Sequence, residues 1–278
     1  MSEAVAVTPT RAGVESLFLS WLGRLPNDEE LARASTDDLV LTYHLLAGSE
    51  HIRLGLAKVL ELHLLLLHAA RVKLVSTMLP QARQIVDLGG ANGTLYDMGY
   101  PYPFEQLTVV DLPPEDRCDM YKDLKLAPRL TAGGPIVTLF ANMTQLSAIG
   151  SHSVDLVWSG QSIEHITEED AGLVYAEIRR ILKPQGFFCL DTPNRLLTDI
   201  HVNGQGWIHP EHKIEYRPAH LQRNLRKAGF LIEQALGVTE MVNTHLTGNF
   251  DYRDFLLGAG LSTNVDACYI QYYRCRVA

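Results

Sequence analysis

The rhythm of apolar and polar positions changes near residue 80. Before that point it is helical. Val14, Leu17, Phe18 and Trp21 predict a helix over residues 13–23. Pro26-Asn27-Asp28 starts a second, and Ser35-Thr36-Asp37-Asp38 caps a third. Residues 52–79 read as one long helix, apolar nearly all round from 60 to 67. Such a helix is buried on more than one side, against a sheet or against a second copy of the chain. Lone His63 and His68 within it read as packed or surface side chains. From residue 84 onward short apolar runs alternate with helical stretches, the pattern of a parallel sheet wound by crossover helices. Strands are predicted at 84–88, 107–112, 136–140, 154–158 and 187–191. The main helix between them runs from Glu168 to Leu182, with Thr167 and three acids at its start and Lys183-Pro184-Gln185-Gly186 as its stop. Residues 218–229 predict another helix. Residues 230–238 and 267–277 predict a closing antiparallel pair around a long insertion, 239–265.

The fold class is therefore α/β: a doubly wound, mostly parallel sheet with an antiparallel last strand, preceded by an N-terminal helical extension. The predicted division is 1–80 for the extension and 81–278 for the sheet domain.

The turn after the first predicted strand is the first place where chemistry enters. Gln84-Ile85-Val86-Asp87-Leu88 runs into Gly89-Gly90-Ala91-Asn92-Gly93. Glycines there let the backbone approach a ligand. The acid precedes them, as Asp-x-Gly-x-x-x-Gly, where a dinucleotide fingerprint would have Gly-x-Gly-x-x-Gly and room for a pyrophosphate. A carboxylate at the loop suits a ligand with a cationic end. Asp111 ends the second strand, where an acid can take both hydroxyls of a ribose. A cationic amino-acid end joined to a ribose describes S-adenosylmethionine.

Composition narrows the partners. The 278 residues carry a net charge of −8, and 46% are hydrophobic. The acidity argues against a nucleic-acid partner, since phosphate binding needs a basic face. The four cysteines (Cys118, Cys189, Cys268 and Cys275) are scattered, so neither a zinc motif nor a disulfide framework is indicated and a cytoplasmic setting is expected. No leader is expected from the first residues. The apolar run 54–75 is too interrupted by charge to span a membrane.

At these residues the chain resembles the class I S-adenosylmethionine-dependent methyltransferases, in their ubiquinone-pathway and sugar O-methyltransferase branch. Five blocks match in order: the glycine loop, Asp111, Gln161-Ser162-Ile163-Glu164-His165, Leu182-Lys183-Pro184-Gln185-Gly186, and Asp191-Thr192-Pro193-Asn194. The resemblance implies S-adenosyl-L-methionine as cofactor, held by Asp87, Gly89, Gly90, Gly93, Asp111, Leu112, Asn142, Met143 and Gln161. Asn142 would meet the adenine amine and Met143 the ring. Small-RNA 2′-O-methyltransferases carry a similar Glu-x-x-Glu-His with a later His, and there the groups hold a divalent metal. Carried over, Glu164, His165 and His212 would ligate an ion such as Mg, with Gln161 replacing a carboxylate of the pattern. Without a metal, His165 or His212 would be the general base, assisted by Glu164; Glu164 has also a purely structural reading as a cap. Residues 19–26, with their Leu-Gly-Arg-x-Pro stretch, followed by Leu46-Ala47-Gly48-Ser49-Glu50, resemble a small helical module that sometimes accompanies bacterial glycan-modifying enzymes.

The reading is an O-methyltransferase. Its acceptor is first a hydroxyl of a sugar, glycan or glycosylated metabolite, then a small phenol or quinone-like molecule, and RNA last. Asn243, His245, Asn249, Tyr252, Arg253 and Phe255 of the insertion suit a polar ring. A homodimer through the N-terminal helices is expected from the apolar excess at 56–67. A non-catalytic S-adenosylmethionine-binding protein and an NAD-dependent oxidoreductase are the rivals. The glycine spacing disfavours the second.

Overall fold

The computed structural model describes residues 11–22, 24–33, 49–117, 122 and 126–278. Residues 1–10, the predicted cap at 35–38, residues 46–48 and Cys118 lie outside these. The chain divides into two compact units, 1–64 and 65–278.

In the first unit, helix α1 (Arg11–Leu22) buries Val14, Phe18 and Leu22, with Leu17 and Leu31 packed against them. Helix α2 (Asp28–Arg33) starts as its sequence requires: the side chain of Asn27 accepts from the N–H of Glu30 at 2.9 Å, and Glu30 answers on the N–H of Asn27 at 2.8 Å. This reciprocal pair satisfies two donors that a helix start leaves open.

Helix α3 (Ser49–Met78) belongs to the second unit from Leu65 onward. Ala70, Leu74 and Val75 join the core, while Leu64 and Leu65 are 63% and 64% exposed. The side chains at 49–62, which include most of the apolar excess, lie outside the described residues. Among the described residues, no helix is long and apolar enough to cross a membrane.

The sheet follows as β1 (Gln84–Leu88), β2 (Gln106–Asp111), β3 (Arg129–Leu130), β4 (Pro135–Phe140), β5 (Val154–Gly160), β6 (Leu182–Pro193), β7 (Phe230–Glu240), β8 (Leu261–Ser262) and β9 (Cys268–Val277). Their order is β3-β4-β2-β1-β5-β6-β9-β7-β8. β4, β2, β1, β5 and β6 are parallel. β9 enters between β6 and β7, antiparallel to both, as the closing pair predicts. Alternate residues of the central strands enter opposite faces. Ile85, Leu107, Val109 and Trp158 pack with Leu74 and Val75 of α3. Val86, Val110 and Val157 pack with Val174 and Ile178 of α5 (Glu168–Ile181) and with Leu221 of the helix Pro218–Lys227. Both faces are covered, which is why these strands read as continuous apolar runs.

The expected stop at 183–186 holds, with α5 ending at Ile181, and the stretch itself already belongs to β6. Leu182 leaves α5 directly into β6 and pairs with Val154. The ammonium of Lys183 meets Asp155 at 2.6 Å, and that carboxylate also takes the N–H of Gln84 at 2.8 Å, so the Lys-Pro-Gln-Gly stretch is pinned to the strand beside it.

The strand order reverses between β1 and β5. Ligands of open α/β sheets bind at the carboxyl ends of strands at such a point.

Candidate functional site

The carboxyl end of β1 is shaped by what lies beneath it. The side chain of Asp87 turns under the loop, so that a Cβ at Gly90 would stand 2.2 Å from its carboxyl carbon. Glycine is the residue that leaves room there. Gly93, with φ of 88°, opens the one-turn helix α4 (Thr94–Asp97) in a conformation that side chains disfavour. Asp87 is fully buried and one of its oxygens has no hydrogen-bond partner. Burial pushes its carboxyl up to about 7, against the pull of the Leu95 N–H and of Arg71. Asp87 thus supports the loop from below.

Above the loop opens a cavity of ≈ 410 Å³, and Gly89, Asp111, Leu112, Asn142, Met143 and Gln161 all line it. Asp111 ends β2. Its carboxylate accepts the N–H of Leu112 at 2.8 Å and stands 3.6 Å from the guanidinium of Arg117. Burial raises its carboxyl; Arg117 and the backbone of Leu112 and Ala91 oppose that rise. The Oδ1 of Asn142 already accepts two bonds from Thr144, the N–H at 3.0 Å and the hydroxyl at 2.8 Å, so the amide closes its own turn and leaves its NH₂ for a ligand. Gly90, Gly93 and Asp87 shape this cavity without lining it.

Gln161 ends at the cavity wall with φ of 56°. Its backbone and side-chain N–H groups both reach Asp191, at 2.9 Å to the carbonyl and 3.1 Å to the carboxylate. Asp191 in turn holds Arg71 of α3 through two bonds, 2.7 and 3.0 Å. This explains the amide where the motif has an acid: a carboxylate at 161 would face the carboxylate of Asp191. Arg71 and Asp191 are 120 positions apart, and no local pattern in the chain announces them.

Glu164 and His165 part company in the short turn after β5. The carboxylate of Glu164 points into the interior, accepts from Thr192 at 2.9 Å and keeps one oxygen without a partner. Burial pushes it up to about 8, and Asp191 adds to the rise. It does not join the histidines. Its backbone does: the carbonyl of Glu164 accepts from the N–H groups of Lys213 and Ile214, at 2.8 and 3.2 Å, and so brings the 209–212 turn against His165. The ring centroids lie 4.8 Å apart for His165 and His212, 5.7 Å for His165 and His209, and 5.3 Å for His209 and His212. His165 and Glu211 line the same cavity as Asp111. Burial, then the neighbouring His212 and His209, lower His165 to about 4. Burial would raise Glu215, but bonds from His212 at 2.7 Å, Thr198 and the N–H of Ile208 at 2.9 Å overcome it and hold its carboxyl low. A carboxylate only accepts, so Nδ1 of His212 carries the proton and Nε2 the lone pair.

The sequence reading missed His209, Glu215 and the Arg71–Asp191 pair. His209-x-x-His212 was the available signal for the first. The insertion residues do not line the cavity: Phe255 is buried, Tyr252 bonds His201 at 2.9 Å, Asn243 bonds Asp254 and Arg253 bonds Asp251.

Residues 86–190 match a family described as a methyltransferase domain. A protein of Mycolicibacterium smegmatis named as a probable S-adenosylmethionine-dependent methyltransferase is 37% identical over 86 residues, which are 31% of this chain and 32% of that relative. The chain therefore matches about a third of that protein's length. A crystal structure from Thermotoga maritima, described as an S-adenosylmethionine-dependent methyltransferase and possible histamine N-methyltransferase, superposes with TM-score 0.53 at 16% identity, over 80% of this chain and 96% of that one. The small RNA methyltransferase HEN1 superposes with TM-score 0.51 at 17% identity, over 76% of this chain and 24% of that one. At these identities the two structures speak for the fold.

Proposed function

We propose that this chain, whose residues 86–190 match a family described as a methyltransferase domain, transfers a methyl group from S-adenosylmethionine to a hydroxyl of a sugar, glycan or glycosylated metabolite. One observation carries the reading to oxygen. The cavity that presents Asp111 also presents His165, and His212 stands behind His165 with a carboxylate on its far nitrogen. One end suits the cofactor, the other a proton acceptor.

The residues fit the cofactor. Asp111 keeps free acceptor sites for two ribose hydroxyls after its bonds to Leu112 and Ala91. Met143 offers an apolar surface, and Asn142, whose Oδ1 is taken by Thr144, can donate its NH₂ to a ring nitrogen of the adenine in place of meeting the amine. Asp87 and Glu164 lie buried beneath the site with unpartnered oxygens, and because burial raises both carboxyls the charge that faces the ligand is that of Asp111. When bound, S-adenosylmethionine supplies a methyl group already activated on a sulfonium. The protein's share is position and removal of a proton. Neutral His165, with His212 oriented by Glu215, serves that removal. Glu164 acts through its backbone in this reading, so the ligand set with Glu164 and magnesium is not part of it. Leu64 and Leu65, exposed on α3, are consistent with a homodimer through the N-terminal helices.

The test is transfer of labelled methyl from S-adenosylmethionine to a panel of glycosides, phenols, RNA and amines. Methyl ethers of glycosides are expected. N-methyl products would overturn the assignment to oxygen, and cofactor binding without transfer to any acceptor would reduce the chain to a binding protein.

A further inference from the structure

We propose that His165, His209 and His212 form a three-nitrogen site for a first-row transition-metal dication, open on the side of the cavity. The ligand atoms of the three rings lie within 4.8 Å of one another. Nitrogens bound at the usual 2.0–2.1 Å around zinc stand roughly 3.3 Å apart, so small ring movements close the site.

Three features make it a built site. First, His212 is held by Glu215 through Nδ1, and its Nε2 lone pair faces away from that bond. A carboxylate behind a ligating histidine fixes its tautomer and raises its basicity. Glu215 is itself fixed by Thr198, by the N–H of Ile208 and by Arg195 at 3.5 Å. Second, His209 has its lone pair on Nδ1, where it takes a long 3.2 Å bond from the N–H of Glu211; ligation there replaces that bond. Third, the whole turn is docked on the carbonyl of Glu164, so the two segments are fixed without the ion.

The donor set chooses the metal. Imidazole nitrogens suit zinc, cobalt, nickel, iron or copper, whereas magnesium demands oxygen. The ion is therefore not the magnesium of the sequence reading, and Glu164 is not among its ligands. The open side meets the cavity at His165, beside Glu211. That position takes the acceptor hydroxyl, and this part of the inference rests on the methyltransferase reading. An ion-bound hydroxyl has a lowered pKa. With the ion bound His165 is a ligand in place of a base: the O–H bond breaks with the proton passing to water, the O–CH₃ bond forms, and the S–CH₃ bond breaks with its electron pair kept by sulfur.

The experiment is titration of the chelator-treated full chain with Co²⁺, read by visible absorption and calorimetry, with S-adenosylhomocysteine binding measured in parallel. One ion per chain is expected, with absorption of nitrogen-coordinated cobalt and competition by Zn²⁺ but not by Mg²⁺. His212→Ala and the partly exposed His209→Ala should each weaken binding about 100-fold, and Glu215→Gln about 10-fold. Both histidine variants should keep S-adenosylhomocysteine binding, which certifies their fold. Absence of cobalt binding, or unchanged affinity in His209→Ala, overturns the site. A chain that then still binds S-adenosylhomocysteine leaves the methyltransferase reading standing. Cobalt bound by a chain that does not bind S-adenosylhomocysteine leaves the site and removes that reading.

Discussion

Arg71→Met should lower the stability of the chain by about 3–5 kcal/mol, measured by urea denaturation. The Arg71 side chain is 13% exposed and that of Asp191 0%. Removing the guanidinium leaves the carboxylate of Asp191 with only the amide of Gln161 for company, in a region that already holds buried Asp87 and Glu164. The cost is that of an uncompensated buried charge. The intact pair need not add net stability, because burying both charges was itself expensive. The double variant Arg71→Met/Asp191→Leu should therefore recover most of the loss. A single variant as stable as the parent would mean that Asp191 reaches water once Arg71 is gone.

His212→Ala should keep cofactor affinity and lower turnover by about 10²-fold or more. His212 does not line the cavity; it touches His165, which does. Its loss removes the ring that stands behind His165, or one ligand of the proposed ion, without touching the Asp111 end. Glu215→Gln keeps an acceptor oxygen for Nδ1 but no charge, so a smaller fall is expected, about tenfold. If His165→Ala and His212→Ala both turn over normally, the histidine cluster is structural and the proton leaves by another path.

The sheet was legible because its strands are short, apolar and punctuated. β1 coincides with its predicted bounds, and β2 and β4 each begin one residue earlier than predicted. The closing pair of β7 and β9 was legible from two long apolar stretches around a polar insertion. β3 and β8 were not: two residues carry no alternation, and while β3 pairs with β4 across a turn, β8 reaches β7 only across the insertion. The stop at 183–186 was legible, since α5 ends at Ile181; that β6 begins at once was not, because its pairing with β5 shifts register between Leu182 and Phe187 while Lys183 is held by Asp155. At the site the division is similar. Residues at strand ends, such as Asp111, Met143 and Gln161, follow from the blocks in the chain and the rule that ligands sit there. What the chain does not announce is which way a side chain turns. Asp87 and Glu164 read as ligand contacts and turn inward. His209 becomes a neighbour of His165 only through the Glu164 carbonyl, and Arg71 meets Asp191 only once α3 lies on the sheet.

If the cavity at the β1–β5 switch point holds the cofactor through Asp111, calorimetric titration with S-adenosylhomocysteine gives one site per chain. Asp111→Ala then loses about 1.5–3 kcal/mol, roughly 10- to 150-fold in Kd, because a carboxylate that accepts two ribose hydroxyls is removed. Unchanged affinity in Asp111→Ala, or no binding by the parent chain, would contradict this role of the cavity and of Asp111.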